Sequence, residues 1–514
     1  MPAAFDGSCH LLFTNPLGVY PLGNSLLEDG AIVKQSLRLG RFAMLGDELL
    51  ISLLRYLGAQ LCGRLACVSF VFRAFCYQEE LWRDFSIELL LRESEQRRQL
   101  RWSSEGGTWR QAYCLTVSDS SHPKPSGSSC SSERKAAKGR VYSDVLLRNF
   151  VYAAMKLKPF WLQRETIRRV NARSLTPQAF VSEFEAKSQP VILEGAAESW
   201  PALKSWTRET LSKQYGKVAF ACGPCELTLE TFYTYAGANT DDAPLFVFDR
   251  HFSKRAPGML EDYTVPEVFT GRDLFSLLGD DRPDFRWLLI GNRRSGSKWH
   301  VDPNKTSAWN GVVRGSKRWL LLPPGCAPPG VHPSKDGAEV TQPLSLIEWF
   351  YQFYSELREN ADRCPSWSLL EGTCRRGDVV FIPSGWWHCV LNLEDDTIAV
   401  TQNYASETHV HGIRRFLREK PDQVSGILDR TSLADRFDRA LRDQRPDLLA
   451  EMPEQVPEQS PKLICEPEET PGEPPKFSFW DHLRSTGKTI TFGSTKVVEQ
   501  AEEGQAPVKR QRCE

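Results

Sequence analysis

The feature that most constrains the fold is a His-x-Asp pair, His300 and Asp302, inside the stretch SKWHVDPNKTSAWNGVVRGSKRW at residues 297 to 319. Side chains in a strand alternate between its faces, so residues two positions apart point the same way and can hold one ion together. His388, in the distant motif PSGWWH, is the candidate third ligand. Two histidines and one carboxylate leave half of an octahedral coordination sphere open, which suits non-haem Fe(II) oxygenases. Because a lone His-x-Asp pair is also common on surface strands, the prediction depends on the residues that follow.

The residues that follow predict a β-hairpin. Two apolar runs, 309 to 313 and 319 to 322, flank a turn in which Gly315 can take the positive φ angle. In that hairpin Asn310 and Lys317 lie on one face. A buried ammonium beside a metal needs an anion, and a dicarboxylic acid that chelates iron at one end would place its far carboxylate there. The predicted co-substrate is 2-oxoglutarate.

Three sequence blocks, HVDPNKTSAWNGVVRGSKRW, PSGWWHCVLNL and AVTQNYAS, resemble the JmjC-domain oxygenases. The resemblance is closest to the branch typified by the bifunctional arginine demethylase and lysyl-hydroxylase, and it extends from about residue 160 to about residue 445. It implies a mainly β fold, a double-stranded β-helix (a jelly-roll or cupin-like barrel) with flanking helices. It also implies Fe(II) as cofactor and 2-oxoglutarate as co-substrate, with O2.

The same resemblance assigns roles to individual residues. It gives metal binding, and with it the catalytic role, to His300, Asp302 and His388, and co-substrate binding to Ser297, Asn310, Lys317 and Thr401. Ser297 stands where this branch often has Thr, and keeps the hydroxyl. Phe246 stands where Tyr is common, and lacks one hydrogen-bond donor. Trp386 and Trp387 are expected to pack around His388 and not to bind substrate.

The implied reaction is oxidation of a protein side chain, coupled to conversion of 2-oxoglutarate to succinate. The resemblance favours Arg or Lys residues of a histone tail or another nuclear or translation-related protein. Oxidation of an N-methyl group would release formaldehyde and so demethylate the residue, whereas oxidation of a lysine side-chain carbon would stop at the alcohol. No sequence feature selects between these outcomes.

Composition excludes several classes of protein. A chain of 514 residues is long enough for two or three domains. A net charge of −1 gives no overall field that would attract nucleic acid or a membrane. The 14 cysteines form no disulfide framework, and no secretory signal or spanning apolar segment is present. We expect a soluble intracellular protein with reduced thiols.

Residues 41 to 115 are predicted to form a small α-helical domain. This region resembles an F-box in three parts, namely the helix from Leu45 to Leu57, the apolar face of Leu65, Val68 and Phe72, and the closing pair Leu81 and Trp82. Gly46 occupies the position of the usual proline. The resemblance implies docking of a Skp1-type adaptor of a cullin ubiquitin ligase through residues 41 to 85. The alternative is a helical cap for the oxygenase domain.

Two other functions compete with the oxygenase. The chain could be an F-box substrate receptor whose barrel only recognises targets, but the intact set of His300, Asp302, His388 and Lys317 argues against an inactive barrel. It could carry a different metal chemistry, as in cupin isomerases or hydrolases, but Lys317 with Asn310 argues against that because those enzymes need no carboxylate clamp. If the helical domain is separable, truncation before about residue 140 should remove adaptor binding and leave oxidation.

The rest of the chain is assigned by composition. The predicted segments are a loosely ordered leader at 1–40, a Ser/Pro/Lys-rich linker at 116–140, the JmjC oxygenase domain with N-terminal helices at 141–410, C-terminal helices at 411–450 and an acidic, Pro-rich disordered tail at 451–514. The C-terminal helices resemble those through which the family often self-associates, which predicts a homodimer. The basic clusters ERKAAKGR and VKRQR suggest the nucleus, with the cytoplasm as a second location.

Cys222 and Cys225 form a CxxC motif around Gly-Pro. A redox motif should stand at a helix N-terminus, where the dipole lowers a thiol pKa. The residues that follow alternate like a strand, and no second ligand pair for zinc stands nearby. The sequence therefore favours a strand-turn-strand with incidental cysteines.

Overall fold

Two β-sheets form the centre of the chain in the computed structural model, which describes residues 17–92, 99–103, 107–118 and 139–449. The strands are β1 (Val19–Tyr20), β2 (Val141–Tyr142), β3 (Arg168–Asn171), β4 (Val191–Glu194), β5 (Ala219–Cys222), β6 (Cys225–Thr228), β7 (Val247–Asp249), β8 (Arg286–Gly291), β9 (Gly296–His300), β10 (Ser307–Arg314), β11 (Ser316–Leu322), β12 (His332–Pro333), β13 (Val340–Thr341), β14 (Leu370–Arg375), β15 (Val379–Ile382), β16 (Trp387–Asn392) and β17 (Thr397–Tyr404). The larger sheet has seven strands in the order β3-β4-β15-β10-β17-β8-β7, and the smaller has four in the order β14-β11-β16-β9. The core is therefore mainly β-sheet, as predicted.

Helices flank the sheets. They are α1 (Ala31–Leu39), α2 (Asp47–Leu65), α3 (Phe70–Cys76), α4 (Glu79–Arg92), α5 (Trp109–Val117), α6 (Asp144–Ala154), α7 (Pro177–Phe180), α8 (Ala202–Ser205), α9 (Arg208–Tyr215), α10 (Leu229–Ala238), α11 (Phe252–Arg255), α12 (Leu346–Arg363), α13 (Val410–Glu419) and α14 (Leu433–Gln444). The short apolar runs at 244–249, 286–291, 378–383 and 397–404 form β7, β8, β15 and β17, and the amphipathic run at 346–357 lies in α12.

The predicted hairpin is wrong. β10 pairs with β15 and β17 in the seven-stranded sheet, whereas β11 pairs with β14 and β16 in the four-stranded sheet. The turn at Gly315, with φ of 72°, passes from one sheet to the other. A Cβ there would lie 2.5 Å from the Thr397 hydroxyl, so the corner needs glycine. Because both strands are buried on both faces, their apolar pattern could not reveal which strand is the neighbour.

The part of the predicted leader that the structure describes is ordered. Residues 17–40 contain β1 and α1, and β1 pairs in parallel with β2. The composition of the leader could not predict a partner so far along the chain. Gly58, with φ of 79°, interrupts α2 directly after Leu57, the predicted end of the first F-box helix. Residues 1–16, the segment 119–138 and the tail 451–514 lie outside the described residues, with most of the predicted linker.

The N-terminal helices share a core with the sheets. Trp109 on α5 is fully buried, and its indole nitrogen donates to the carboxylate of Asp241 at 3.0 and 3.1 Å. Arg148 on α6 forms ion pairs with Glu80 of α4 and with Asp242 and Glu348, the latter on α12. This packing joins the helical region to the oxygenase region.

The predicted C-terminal amphipathic helices are α13 and α14. Their apolar faces pack on the residues before β8 in one cluster that includes Leu274, Phe275, Val410, Ile413, Leu417, Leu433, Phe437 and Leu441. Within the described part of the chain, no helix combines the length and apolarity needed to cross a membrane.

The CxxC motif forms the predicted strand-turn-strand. Cys222 and Cys225 face each other where β5 and β6 meet, and both are free, buried thiols. Burial raises the pKa of both thiols, to about 11 for Cys225, so neither is a ready nucleophile.

Candidate active site

Three predicted ligands meet at one end of the sheets. One donor atom from each of His300, Asp302 and His388 lies within 4.8 Å of the other two. The two histidines are cross-strand partners on β9 and β16, with ring centroids 4.1 Å apart. An oxygen of Asp302 lies 3.9 Å from Nε2 of His388. No other group of three or more His, Cys, Asp or Glu in the described ranges could hold an ion.

The backbone that presents Asp302 differs from the prediction. β9 ends at His300, and Asp302 precedes the 3-10 turn Pro303–Lys305. The carboxylate therefore projects from a loop and not from the strand itself. A register shift between His388 and Val390 places Ser297 opposite Val390, so His300 and Ser297 both have partners on β16 although they are three residues apart.

Both imidazole rings are oriented by backbone carbonyls. Nδ1 of His300 lies 2.7 Å from the carbonyl of Lys298, and Nδ1 of His388 lies 3.0 Å from that of Trp386. When Nδ1 donates to these carbonyls, the lone pair of Nε2 is free to bind a metal. Burial, with His300 nearby, lowers the pKa of His388 to about 4, so its ring is neutral at pH 7 as a ligand must be.

The carboxylate completes the donor set. Oδ2 of Asp302 is buried and has no hydrogen-bond partner. A buried carboxylate oxygen without a partner is costly, and a divalent cation between it and the two Nε2 atoms would compensate that cost. Two imidazoles and one carboxylate fit Fe(II).

Asn310 and Lys317 reach the same interior from different sheets. Ala308 and Val312, which share a strand face with Asn310, pack in one cluster with Trp319 and Leu321, which share a face with Lys317. The two residues therefore converge as predicted, but across the two sheets and not along a hairpin.

Lys317 is a buried cation that lacks a charged partner. It is 3% exposed, and no carboxylate of the described residues forms an ion pair with it. Burial lowers the pKa of its ammonium to about 8. The amide oxygen Oδ1 of Asn310 is likewise buried without a partner. A carboxylate of 2-oxoglutarate would satisfy the ammonium and fits this end of the interior.

The other predicted co-substrate residues, Thr401 and Ser297, lie on β17 and β9. Thr401 is the cross-strand partner of Asn310, and its hydroxyl donates to the carbonyl of Trp309 at 2.8 Å, so it must turn to donate to a carboxylate. Ser297 is half-buried on β9. Phe246 is half-buried near Gly291, where an added Cβ would lie 3.0 Å from its own Cβ.

Sequence reasoning missed Asn392. It is the cross-strand partner of Lys317, its Nδ2 donates to the Ser295 hydroxyl at 3.0 Å, and its Oδ1 is buried without a partner. Asn392 therefore lies beside Lys317, next to the candidate co-substrate residues. The signal was the one amide in the apolar strand after His388, at an even spacing from it.

Four other histidines and two tryptophans lie outside the set of candidate ligands. His251, His332, His409 and His411 are not part of the metal cluster. The indole nitrogen of Trp386 donates to the carbonyl of Ser188 at 2.9 Å, and Trp387 is buried in a hydrophobic cluster, so both pack as expected.

Comparison with known proteins gives the family. Residues 252–409 match the cupin-like domain. The chain is 39% identical over 478 residues to the arginine-specific demethylase JMJ22 of Arabidopsis thaliana, covering 92% of this chain and 88% of that protein. It is 37% identical over 309 residues to the bifunctional arginine demethylase and lysyl-hydroxylase psr-1 of Caenorhabditis elegans, covering 58% and 72%. It is 27% identical over 271 residues to the 2-oxoglutarate and iron-dependent oxygenase JMJD4 of Homo sapiens, covering 47% and 62%.

These relatives agree with the geometry of the site. The matched cupin-like region contains the three candidate ligands and the candidate co-substrate residues. The oxygenase prediction is confirmed over the two competing functions, with iron as cofactor and 2-oxoglutarate as co-substrate. The chain belongs to the JmjC oxygenases with a cupin-like domain and is an iron- and 2-oxoglutarate-dependent oxygenase.

Proposed function

We propose that this oxygenase demethylates methylated arginine side chains of proteins. Its 39% identity to a protein named as an arginine-specific demethylase, over 88% of that protein, supports this substrate. When iron, 2-oxoglutarate and O2 are bound, they supply oxidation of a C–H bond coupled to decarboxylation of the co-substrate. An oxidised N-methyl carbon leaves as formaldehyde. We further propose that the two sheets form the double-stranded β-helix of the family.

The observation that carries the proposal is a pair of half-exposed aromatic rings, Phe248 and Trp287, which we call the aromatic shelf. The rings are parallel to within 11°, with centroids 5.8 Å apart, and Phe248 is 41% exposed. Trp287 is the cross-strand partner of Thr401, so the shelf adjoins the co-substrate residues. A planar, delocalised guanidinium stacks well on aromatic faces.

The residues of this chain have separate tasks in the proposed reaction. His300, Asp302 and His388 hold the metal, and Trp319 packs against the ring of His388 with centroids 6.0 Å apart, which limits its rotation. Lys317 anchors the far carboxylate of 2-oxoglutarate. The buried interior between the sheets excludes water from the reacting carbon.

Lysyl hydroxylation is the second candidate, because psr-1 is named for both activities. The shelf could also pack against the apolar stem of a lysine. The two reactions differ in product, since hydroxylation adds one oxygen to the peptide and releases no formaldehyde.

The test is succinate formation with Fe(II), ascorbate and matched peptides that carry methylated Arg, unmethylated Arg or Lys. We expect turnover and formaldehyde with methylated Arg, and a strong reduction of both in the Lys317→Ala variant at a subsaturating concentration of 2-oxoglutarate. If the lysine peptide gains one oxygen and no formaldehyde is released, the activity is hydroxylation and not demethylation. Absence of turnover with every peptide would refute both side-chain substrates.

The shelf is tested by Phe248→Leu. Phe160 is also 41% exposed and belongs to a different aromatic cluster, so Phe160→Leu is the matched control. We expect Phe248→Leu to raise the KM for the methylated peptide about fivefold while the KM for 2-oxoglutarate stays unchanged. Equal peptide KM values in the two variants would refute the shelf as a substrate site.

We also propose that residues 41 to 85, which include α2 and α3, form an F-box that docks a Skp1-type adaptor. Several apolar side chains here face solvent, including Met44 at 86% and Tyr56 at 89% exposure. Such an apolar patch is typical of a protein interface. Tyr56→Asp should abolish co-purification with Skp1 and leave turnover unchanged, and retained adaptor binding would refute this docking face.

Two proposals concern the rest of the chain. Leu428, between α13 and α14, is fully exposed, which supports self-association through residues 411–450. Light scattering of the purified protein and of Leu428→Asp tests this, and an unchanged mass would refute that contact. Nuclear localisation is proposed from the basic clusters, which lie largely outside the described residues, and imaging of a fluorescent fusion with each cluster removed tests it.

A further inference from the structure

The loop that follows Asp302, residues 303–307, has an unusual backbone. Asn304 has φ of 56° and Lys305 has φ of 55°, so two successive residues other than glycine take the left-handed conformation. Asn304 is also buried. Such a backbone persists only where its surroundings hold it, and it is found most often at functional sites. We call residues 303–307 the ligand loop.

One side of the ligand loop is held by the C-terminal region. Nδ2 of Asn304 donates to the carbonyl of Ser425 at 2.9 Å, and the backbone N–H of Ser425 donates to Oδ1 of Asn304 at 3.0 Å. The amino group and the carbonyl group of the buried Asn304 amide thus both form hydrogen bonds with the backbone of Ser425. Ser425 lies between α13 and α14, so the segment after the sheets reaches back to the metal end.

The other side of the loop is held by the turn before His388. The hydroxyl of Ser384 donates to the carbonyl of Lys305 at 2.7 Å, and the backbone N–H of Ser384 donates to the hydroxyl of Ser307 at 3.1 Å. Ser384 is buried in the PSGWWH motif. Hydrogen bonds of Ser384 therefore join the loop after the candidate ligand Asp302 to the turn before the candidate ligand His388.

We infer that Asn304 and Ser384 are positioning residues of the metal centre, because they fix Asp302 relative to His388. Asp302 lies beyond the end of β9, so no strand pairing holds it in place. The Asn304 and Ser384 hydrogen bonds take over that task. This inference rests on the assignment of His300, Asp302 and His388 as ligands.

The test measures metal affinity directly. Mn(II) is titrated into the metal-free full-length protein, and free Mn(II) is followed by electron paramagnetic resonance, for the wild type, Asn304→Ala, Asn304→Gly and Ser384→Ala. Ser174→Ala is the control, because the Ser174 hydroxyl also donates to a carbonyl, that of Asn171 at 2.9 Å, but on an exposed turn. Circular dichroism and Tm record whether each variant folds.

We expect the Kd for Mn(II) to rise about tenfold or more in Ser384→Ala and in both Asn304 variants, with folded protein and no change in the control. Ser384→Thr, which keeps the hydroxyl, should retain the wild-type Kd. Wild-type affinity in Asn304→Gly would show that the loop needs only its backbone angle, which overturns the role of the Asn304 amide.

Wild-type affinity in folded Ser384→Ala would overturn the link between the two ligand segments. If Asn304→Ala does not fold, Ser384→Ala tests the inference, because this substitution removes only a single hydroxyl. A wild-type protein that binds no Mn(II) would instead refute the ligand assignment, so the two failures are distinguishable.

Discussion

The interior between the two sheets and the surface of the N-terminal helices both contain groups without partners. The two kinds of group are opposite. The interior contains buried polar groups without partners, among them Oδ2 of Asp302 and Oδ1 of Asn310, and a buried Lys317 ammonium that forms no ion pair with a carboxylate of the described residues. The helices present apolar side chains to solvent, Met44 and Tyr56 among them. A buried polar group is satisfied by a small polar ligand, whereas an exposed apolar patch is satisfied by another macromolecule. The kind of missing partner therefore separates the catalytic region from the proposed docking region.

Removing two metal ligands should have the largest effect on the catalytic region. We expect His300→Ala with Asp302→Ala to retain no iron and to lose turnover by about a thousandfold or more, since a metal supplies several kcal/mol of catalysis. Iron content by mass spectrometry and succinate formation check this. His332→Ala is the control, because His332 is exposed on β12 and outside the cluster. Unchanged stoichiometric iron in the double variant would remove the ligand assignment.

Lys317→Ala should raise the KM for 2-oxoglutarate about 10- to 100-fold, the value of one buried charge-assisted hydrogen bond. Because burial already disfavours the charged ammonium, Lys317→Met should raise the Tm of the metal-free protein, so that the residue costs stability and contributes binding. Lys204→Ala, on the short helix α8, is the control. A lower Tm in Lys317→Met would show that the ammonium has a structural partner.

The boundary between the two regions is tested by Trp109→Ala. Loss of this fully buried indole should destabilise the whole protein by about 3 to 5 kcal/mol, because Trp109 packs between the helices and the sheet region. Chemical denaturation should show one transition that shifts as a unit. Tyr56→Ala on the exposed face should change stability by about 0.5 kcal/mol at most. If denaturation of Trp109→Ala shows a second transition from the oxygenase region that is unchanged, the two regions unfold separately.

The convergence of His300, Asp302 and His388 was predictable from residue type and spacing, because the three residues stand in short, recognisable motifs. The hairpin was not, since β10 and β11 are buried on both faces and a Gly corner serves a hairpin and a sheet-to-sheet crossing equally. The shared core at Trp109 depends on contacts with Asp241 far along the chain, which local periodicity cannot report.

The pH dependence of co-substrate binding should follow Lys317, whose pKa burial lowers to about 8. Below that pH the ammonium is charged and the KM for 2-oxoglutarate should be flat; above it the KM should rise by about tenfold per pH unit, because binding then requires uptake of a proton. The facing Cys374 thiol has a raised pKa and stays neutral. In Lys317→Arg the rise should disappear, and a rise that persists would assign it to another group.

The smallest expected effect concerns Phe246, which stands near Asn392 at the co-substrate end. Phe246→Tyr adds a hydroxyl donor where the interior contains acceptor oxygens and where the carboxylate of 2-oxoglutarate is expected. One added hydrogen bond at this half-buried position contributes about 0.5 to 1.5 kcal/mol, so the KM for 2-oxoglutarate should fall about two- to tenfold while kcat stays unchanged. Phe160→Tyr is the control for an added hydroxyl elsewhere. A rise in the KM would mean that Phe246 packs too tightly to leave room for a hydroxyl. The interior would then exclude a further donor even though the acceptor oxygens in the interior lack partners.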